Sequence, residues 1–255
     1  MKKIALLLSA VLAMSMLFYG CGGKNAEPVP EEVPSASMPT TETDIIAHNL
    51  KIDESTISLA QFETPAAGAK VATIKTSAGD IKITFFPDEA PKAVENFLAL
   101  AEKGYYNGLK FYQIVPSVHI ATGDPDNTGN GGKSSFEDGA NFEDEYSTNL
   151  WHFNGAVAMD NSGVPGTNNS RFYIVQNSEI SDDMATKMID AGFPEKVVNK
   201  YLEVGGVPNY DAKDTVFAQV IEGMDIVEQI AHSPRTAENK PEEDITITSV
   251  EIGTM

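Results

Sequence analysis

The chain contains little cysteine and little positive charge. Its single cysteine, Cys21, rules out a disulfide within the chain. The 18 basic residues are outnumbered by 37 acidic ones, which gives a formal net charge of −19. Such a chain repels nucleic acid and gains no electrostatic attraction to anionic lipid, so neither is an expected partner. Arginine is rarer still, since only Arg171 and Arg235 occur.

Sequence patterns for metals, cofactors and phosphates are also missing. The histidines are too scattered to form a metal-ligand motif, so the sequence predicts neither a metal site nor a cofactor. They are His48, His119, His152 and His232. The glycine-rich run Gly129–Gly132 is not followed by a predicted helix, as a phosphate-binding loop would be. We interpret this run as a turn at the edge of a groove.

The longest apolar run lies at the N-terminus. It extends from Ile4 to Phe18, which is too short for a good membrane span, and it follows two lysines. This pattern predicts a secretory signal peptide over residues 1–20. Cys21 then resembles the acylated cysteine of bacterial lipoproteins, which predicts a lipid-anchored protein outside the cytoplasm. The alternative is a plain signal peptide with an incidental cysteine, since Phe18 and Tyr19 are bulky for a lipoprotein processing site.

Composition divides the rest of the chain into three parts. Residues 21–44 are rich in Pro, Glu, Ser and Thr, which predicts a disordered tether. Residues 45–69 carry scattered apolar side chains and are interpreted as a partly ordered arm. Residues 70–255 form the predicted domain, with a helical insertion at about residues 180–208.

The domain is expected to be mainly β. Short strand-like runs alternate with loops rich in Gly, Asn, Asp and Ser, which favours a closed β-barrel over βαβ units. Two helices are predicted outside the insertion, beginning near Pro91 and Met224. The strand-like runs cover residues 71–76, 80–86, 110–115, 118–122, 156–159, 171–175, 215–221 and 245–252.

Several separated blocks resemble the cyclophilin family of peptidyl-prolyl isomerases, in the family's order. They cover residues 90–97, 111–116, 131–133, 142–145, 158–159 and 216–224. The resemblance spans roughly residues 71–252. It implies an eight-stranded antiparallel barrel closed by two helices, and proline-containing polypeptides as partners. The insertion is longer than in compact members of the family.

The activity that this resemblance implies needs no covalent chemistry. Rotation about an Xaa-Pro bond faces a barrier of about 18–20 kcal/mol, and the enzyme must bind the twisted amide better than either planar form. That requires a pocket for the proline ring and a donor near the prolyl nitrogen. In the family the donor is an arginine, whereas here the matching residue is Gln113. A neutral donor is roughly half as strong as an ionic one.

Arg171 offers a replacement for the missing arginine. It stands where the family has a glutamine close to the catalytic arginine. Strand alternation places Arg171 and Tyr173 on one face and Phe172 on the other. We therefore take Gln113 and Arg171 as the candidate catalytic residues, with the guanidinium delivered from a neighbouring strand. The alternative is that Arg171 pairs with a carboxylate such as Asp160 or Asp214.

The resemblance also implies a set of substrate-binding positions. Most depart from the family's usual residues, although Asn161 is kept. His119 is open to interpretation, because a lone histidine in an apolar run is more often a packing residue than a ligand of a peptide or metal. The positions are Phe111, Val118, His119, Ala121, Asp160, Asn161, Tyr173, Tyr210 and Asp214.

The sequence therefore favours a monomeric peptidyl-prolyl isomerase that assists the folding of exported proteins at a membrane surface. One alternative is a module that binds proline-containing peptides, or acts as a chaperone, with little catalysis. Another uses the 180–208 insertion as a docking surface and the barrel as its scaffold.

Overall fold

A computed structural model describes residues 42–255 of the chain. The predicted signal peptide, the lipidated Cys21 and the tether as far as residue 41 lie outside the described residues. Among the helices of residues 42–255, none is long and apolar enough to cross a membrane.

The domain is built on one eight-stranded antiparallel sheet. The order of its strands is β3-β4-β6-β5-β7-β2-β1-β8, and every neighbouring pair is antiparallel. The strands are β1 Lys70–Thr76, β2 Asp80–Phe85, β3 Gln113–Val115, β4 His119–Thr122, β5 Ala156–Met159, β6 Phe172–Val175, β7 Val216–Glu222 and β8 Ile247–Thr254.

The sheet curls around the main core. Helices α2 (Pro91–Glu102) and α5 (Met224–Ala231) pack their apolar faces into this core. The order ends at β3 and β8, which approach each other through the isolated bridge between Lys110 and Thr246. The structure thus supports a curled half-barrel with helices, and the closed barrel predicted from the sequence is not confirmed.

A second hydrophobic core lies apart from the main core and is built largely by the arm and the insertion. The arm contributes α1 (Glu42–Asn49) and the 3-10 turns Glu54–Thr56 and Ala60–Phe62. The insertion contributes α3 (Asp182–Asp190) and α4 (Glu195–Val204). We call residues 42–62 and 180–208 together the helical lobe. The lobe packs on Trp151 and Phe153, which precede β5, and its own buried residues in this core are Ile57, Leu59, Ala185, Met188, Val197, Val198 and Tyr201.

One buried amide connects the arm to the sheet. Gln61 is 4% exposed and accepts a hydrogen bond from the Trp151 N–H at 2.7 Å. Its Nε2 donates to the Trp151 carbonyl at 2.9 Å and to the Gln219 side chain of β7 at 2.8 Å. Both N–H groups and the oxygen of this amide are therefore hydrogen-bonded.

Candidate active site

The outer face of β3, β4 and β6 carries the candidate site. Gln113 of β3 is the register partner of Ala121, and Ala121 is the partner of Tyr173. Phe172 and Ile174 point into the main core, while Tyr173 lies in a separate cluster on the opposite face. Strand alternation therefore brings Gln113, Ala121 and Tyr173 together across three neighbouring strands.

Phe111 was predicted to bind substrate, but it does not line the groove. Its side chain is 2% exposed and belongs to the main core. Tyr112 takes the groove side instead, because its N–H donates to the Ala121 carbonyl while Gln113 pairs with the same Ala121. Two residues thus oppose one, as in a β-bulge, and the bulge puts Tyr112 and Gln113 on the groove side and leaves Phe111 in the core.

Three rings, His119, Tyr173 and Tyr210, form what we call the aromatic wall. Their ring centroids lie 5.1 Å apart for His119 and Tyr173, 5.7 Å for Tyr173 and Tyr210, and 6.0 Å for His119 and Tyr210. The Tyr173 hydroxyl donates to Asp214 at 2.7 Å. Burial, followed by the Asp214 carboxylate, raises the pKa of Tyr173, so its hydroxyl keeps its proton. The result is an apolar ring surface with polar groups at its margin.

His119 connects this wall to Gln113. Burial lowers the pKa of His119 to about 4, so the ring is neutral at pH 7. Its Nε2 lies 3.0 Å from the Gln113 Oε1, and its Nδ1 lies 3.5 Å from the Tyr210 hydroxyl. The consistent assignment is that Tyr210 donates to Nδ1 and that the Nε2–H donates to Oε1. The Gln113 NH₂ group is then left to donate elsewhere.

A buried histidine packs against the aromatic wall. His152 is 1% exposed, and its Nδ1 lies 2.8 Å from an oxygen of Asp211. The same Asp211 oxygen accepts from the His152 N–H, and its other oxygen accepts from the Tyr201 hydroxyl at 2.7 Å. The His152 ring stacks on Tyr173 with centroids 6.1 Å apart. This group fixes the wall to the helical lobe through Tyr201.

Arg171 is not placed as either sequence hypothesis supposed. It is 4% exposed, and its Nη1 donates to the Gly129 carbonyl at 2.5 Å. The ion pairs found among residues 42–255 do not include it, so it pairs with neither Asp160 nor Asp214. Its Nε has no hydrogen-bond partner among these residues. The guanidinium therefore hydrogen-bonds to the main chain of the loop that contains Gly129.

The loop that Arg171 holds, residues 123–132, forms the opposite side of the groove, and we call it the loop wall. Asp124 is fully buried and accepts from the backbone N–H groups of Asp126, Thr128, Gly129 and Gly131 at 2.6–3.2 Å. Burial alone would raise the pKa of Asp124, but these bonds outweigh it and the pKa is lowered. The predicted groove-edge turn is thus organised around one carboxylate.

The glycines of this run are required by close approach. A Cβ on Gly131 would lie 2.2 Å from the Asp124 Oδ1. Gly132 has φ +99°, and a Cβ there would lie 2.6 Å from the Ser170 hydroxyl. A larger residue at either position would push the loop away from the carboxylate that organises it.

Asp160 lies between the two walls, half-buried. It accepts from the Tyr112 hydroxyl and, at 2.8 Å, from the Ser162 N–H. Burial and then the Asp160 charge raise the pKa of Tyr112, so this tyrosine also stays protonated. A cavity of about 370 Å³ opens here, bounded by Tyr112, Gln113, Gly129 and Asp160 among others. It is a recess next to the Gln113 amide.

The remaining predicted positions are less open to a ligand. Asn161 is 1% exposed, and its Nδ2 is used by Asp144 and by the Lys213 carbonyl. Val118 is half-buried in the turn between β3 and β4. Ala121 is 1% exposed and forms part of the groove floor.

A model of the "Cyclophilin type peptidyl-prolyl cis-trans isomerase/CLD" family matches residues 71–252, well over half of the chain. The chain belongs to this family. It is a cyclophilin-type peptidyl-prolyl cis-trans isomerase.

Relatives and solved structures agree with this assignment. The cyclophilin is 44% identical over 193 residues to a putative peptidyl-prolyl cis-trans isomerase of Staphylococcus saprophyticus, covering 75% of this chain and 96% of the relative. A putative bifunctional phosphatase/peptidyl-prolyl cis-trans isomerase of Streptococcus pyogenes is 44% identical over 188 residues, which are 72% of this chain and 39% of that one.

A cyclophilin-type isomerase from Cryptosporidium parvum has a similar structure, with a TM-score of 0.60 and 26% identity over 73% of this chain and 99% of that one. A second structure of that protein was determined in the presence of the dipeptide Ala-Pro. It has a TM-score of 0.59 and 27% identity over 72% of this chain and 99% of that one.

Four residues of the cyclophilin's groove escaped the sequence analysis. Tyr112 was hidden by the bulge, and His152 and Asp211 lie outside the strands that carry the motif. Asp124 alone left a signal in the sequence, because it is an acid directly after Gly123 and a few residues before the glycine-rich run. Side-chain acceptors are common partners for such turns.

Proposed function

We propose that this cyclophilin is held by a lipid on Cys21 at the outer face of a membrane, where it isomerises Xaa-Pro bonds of exported proteins as a monomer. The support is the pattern of residues 1–21, a charged start, an apolar run too short to span a bilayer and the chain's one cysteine directly after it. The acidic net charge gives the domain no attraction of its own to anionic lipid, so the acyl chain supplies the attachment.

Within the groove, the proposed donor to the prolyl nitrogen is the Gln113 amide. The observation that carries this assignment is the 3.0 Å contact between the His119 Nε2 and the Gln113 Oε1. It fixes which end of the amide is occupied and leaves the NH₂ group free. Tyr173, Tyr210 and His119 supply the apolar surface for the proline ring, with Asp160 and Asp214 at its margin.

Arg171 acts in this proposal as a positioning residue. Its guanidinium is bonded to Gly129 and buried, so it shapes the loop wall and does not reach the substrate. The Gly129 backbone is held on both sides, by Asp124 at its N–H and by Arg171 at its carbonyl.

A second candidate function is the binding of proline-containing peptides with only slow isomerisation. It is favoured by one observation: the buried guanidinium of Arg171 is bonded to the loop wall. The neutral Gln113 amide then stands where the family has an arginine, and its hydrogen bond is roughly half as strong.

An isomerisation assay on an Xaa-Pro peptide separates the two candidates. Wild type, Gln113→Ala and Gln113→Arg are compared by NMR exchange. The first candidate predicts measurable turnover in wild type and a kcat about five- to tenfold lower in Gln113→Ala, the value of one neutral hydrogen bond. The second candidate predicts that wild type isomerises the peptide at close to the uncatalysed rate. Peptide binding should be the same in wild type and the variants, and Gln113→Arg should isomerise the peptide faster than wild type.

The anchor is tested separately. Cells expressing wild type or Cys21→Ser are labelled with a radioactive fatty acid and fractionated. We expect label and membrane attachment in wild type and neither in Cys21→Ser. Unlabelled wild type would contradict the anchor and leave the isomerase assignment intact.

A further inference from the structure

A cavity of about 420 Å³ lies in the helical lobe, away from the proline site. Its lining includes the apolar side chains of Ile46 of α1, Met184 and Met188 of α3, and Phe193. Pro208 and Asn209 close one side. The volume is within the range of small-ligand pockets and is large enough for an aliphatic or aromatic side chain.

The cavity and the groove border one short turn of the main chain. Pro208, Asn209 and Tyr210 form one 3-10 turn, in which the first two residues border the cavity and Tyr210 belongs to the aromatic wall. A 3-10 helix rises about 2 Å per residue, while an extended chain spans about 3.3 Å per residue. A polypeptide whose proline rests on Tyr210 therefore reaches the cavity within a few residues.

The cavity and the groove are also rigidly connected. Asp211 directly follows the turn and binds both Tyr201 of α4 and the buried His152. The Asn49 side chain of α1 donates to the Ala191 carbonyl at 2.9 Å, which holds the arm against the end of α3. The two sites keep a fixed separation because both sides are tied to the same turn.

The surface around the cavity is apolar and exposed. Leu50 is 70% exposed and packs beside Gly192, and Ile189 is 63% exposed at the end of α3. Methionine side chains adapt to apolar groups of different shape, which suits a site for varied sequences. Two charged residues, Lys187 and Asp190, also line the cavity.

We propose that this cavity is a second subsite for the client polypeptide, binding an apolar side chain a few residues away from the proline held in the groove. The inference rests on the proposed function, since it requires proline-containing polypeptides as substrates. It assigns the insertion to substrate binding and predicts a preference for unfolded segments with an apolar residue near the proline.

The test compares peptides on the full chain by NMR exchange. The short peptide carries one Ala-Pro bond, and the longer peptides add Gly and Ser on both sides. A single Leu is placed three to five residues before or after the proline. We expect Leu on one side to lower KM by about fivefold or more, with kcat unchanged.

Met184→Glu places a charge in the cavity, and Met255→Glu makes the same change at an exposed residue outside it. Met184→Glu is expected to abolish the effect of Leu while the short peptide keeps its kcat/KM, which also shows that the fold is intact. Met255→Glu keeps the effect of Leu.

The proposal is overturned if Leu changes no KM on either side, or if its effect survives Met184→Glu. It is also overturned if sedimentation shows a dimer that Met184→Glu dissociates, because the cavity then takes a second copy of the chain. Absence of turnover for every peptide, with the Leu-dependent gain in binding retained, would reject the proposed catalysis and keep the subsite.

Discussion

The two walls of the groove use polar chemistry in opposite ways. The loop wall is held from inside by two buried charged residues, Asp124 on the backbone N–H groups and Arg171 on the Gly129 carbonyl. The aromatic wall is built from neutral rings whose pKa values keep them neutral at pH 7. Two buried charges thus hold the loop wall, whereas the rings of the aromatic wall are neutral.

This difference accounts for the positioning role that we propose for Arg171. A guanidinium that supports a backbone turn must stay where it is during the reaction. A neutral amide oriented by a neutral imidazole can contact the twisted peptide without the desolvation cost of a buried charge.

The largest effect is expected from Asp124→Asn. The carboxylate accepts four backbone hydrogen bonds, and an amide can replace only part of them while placing an NH₂ against other donors. We expect the free energy of unfolding to fall by about 3 kcal/mol or more, measured by urea denaturation. The exposed Asp126→Asn, two residues away, should change it by less than about 0.5 kcal/mol.

The pH dependence of stability gives a second readout for Asp124. Its pKa is lowered in the folded state, so its contribution is present above the unfolded value of about 3.9 and is lost as the pH falls through the folded pKa. Asp124→Asn should lose this part of the acid dependence. A variant with the wild-type acid profile would contradict the role of the carboxylate.

Arg171→Met should come next. Methionine keeps much of the volume but removes the guanidinium donor and leaves the Gly129 carbonyl only the longer bond from the Ser162 hydroxyl, at 3.2 Å, so the loop wall loosens. We expect KM to rise about tenfold with kcat nearly unchanged, from peptide titrations in the exchange assay. A fall in kcat at constant KM would instead make Arg171 the catalytic donor. Arg235→Met, at the chain's other and exposed arginine, should change neither quantity.

His119→Phe alters the aromatic wall while keeping a ring of similar size. Gln113 loses the partner that orients it, so we expect kcat to fall about threefold. In wild type the unfolded state takes up a proton below pH 6.5 and the folded ring only near pH 4, so stability should decrease as the pH falls between these values. Thermal unfolding of the variant should lack that part of the decrease.

The smallest effect is expected from Tyr210→Phe. The hydroxyl lies 3.5 Å from the His119 Nδ1, at the long end of hydrogen-bond geometry, while the ring contacts remain. We expect kcat/KM to fall by no more than about twofold. A tenfold loss would show that the hydroxyl contacts the substrate directly.

Much of the fold could be predicted from the chain alone. Period-two alternation indicated the strands, including the inward Phe172 and Ile174, and the helices near Pro91 and Met224 followed from their apolar spacing. The way the sheet curls depends on contacts between residues far apart in the chain. Those contacts leave no local pattern, so closure was the weakest part of the prediction.

The candidate site was less predictable for a different reason. A single extra residue at Tyr112 reversed the faces of the segment before β3 and moved Phe111 into the core. The partner of Arg171 is a main-chain carbonyl, and every residue type carries one. The partner of Arg171 was therefore predicted among the acidic residues, and no sequence pattern pointed to Gly129.

The Gln61 amide has a consequence for how the domain unfolds. Its hydrogen bonds join the arm, the Trp151 backbone and β7, and separating any of these leaves a polar group unpaired inside the protein. The helical lobe then cannot melt ahead of the sheet at low cost. Residues 42–255 should behave as a single cooperative unit, with one heat-absorption peak in a calorimetric scan.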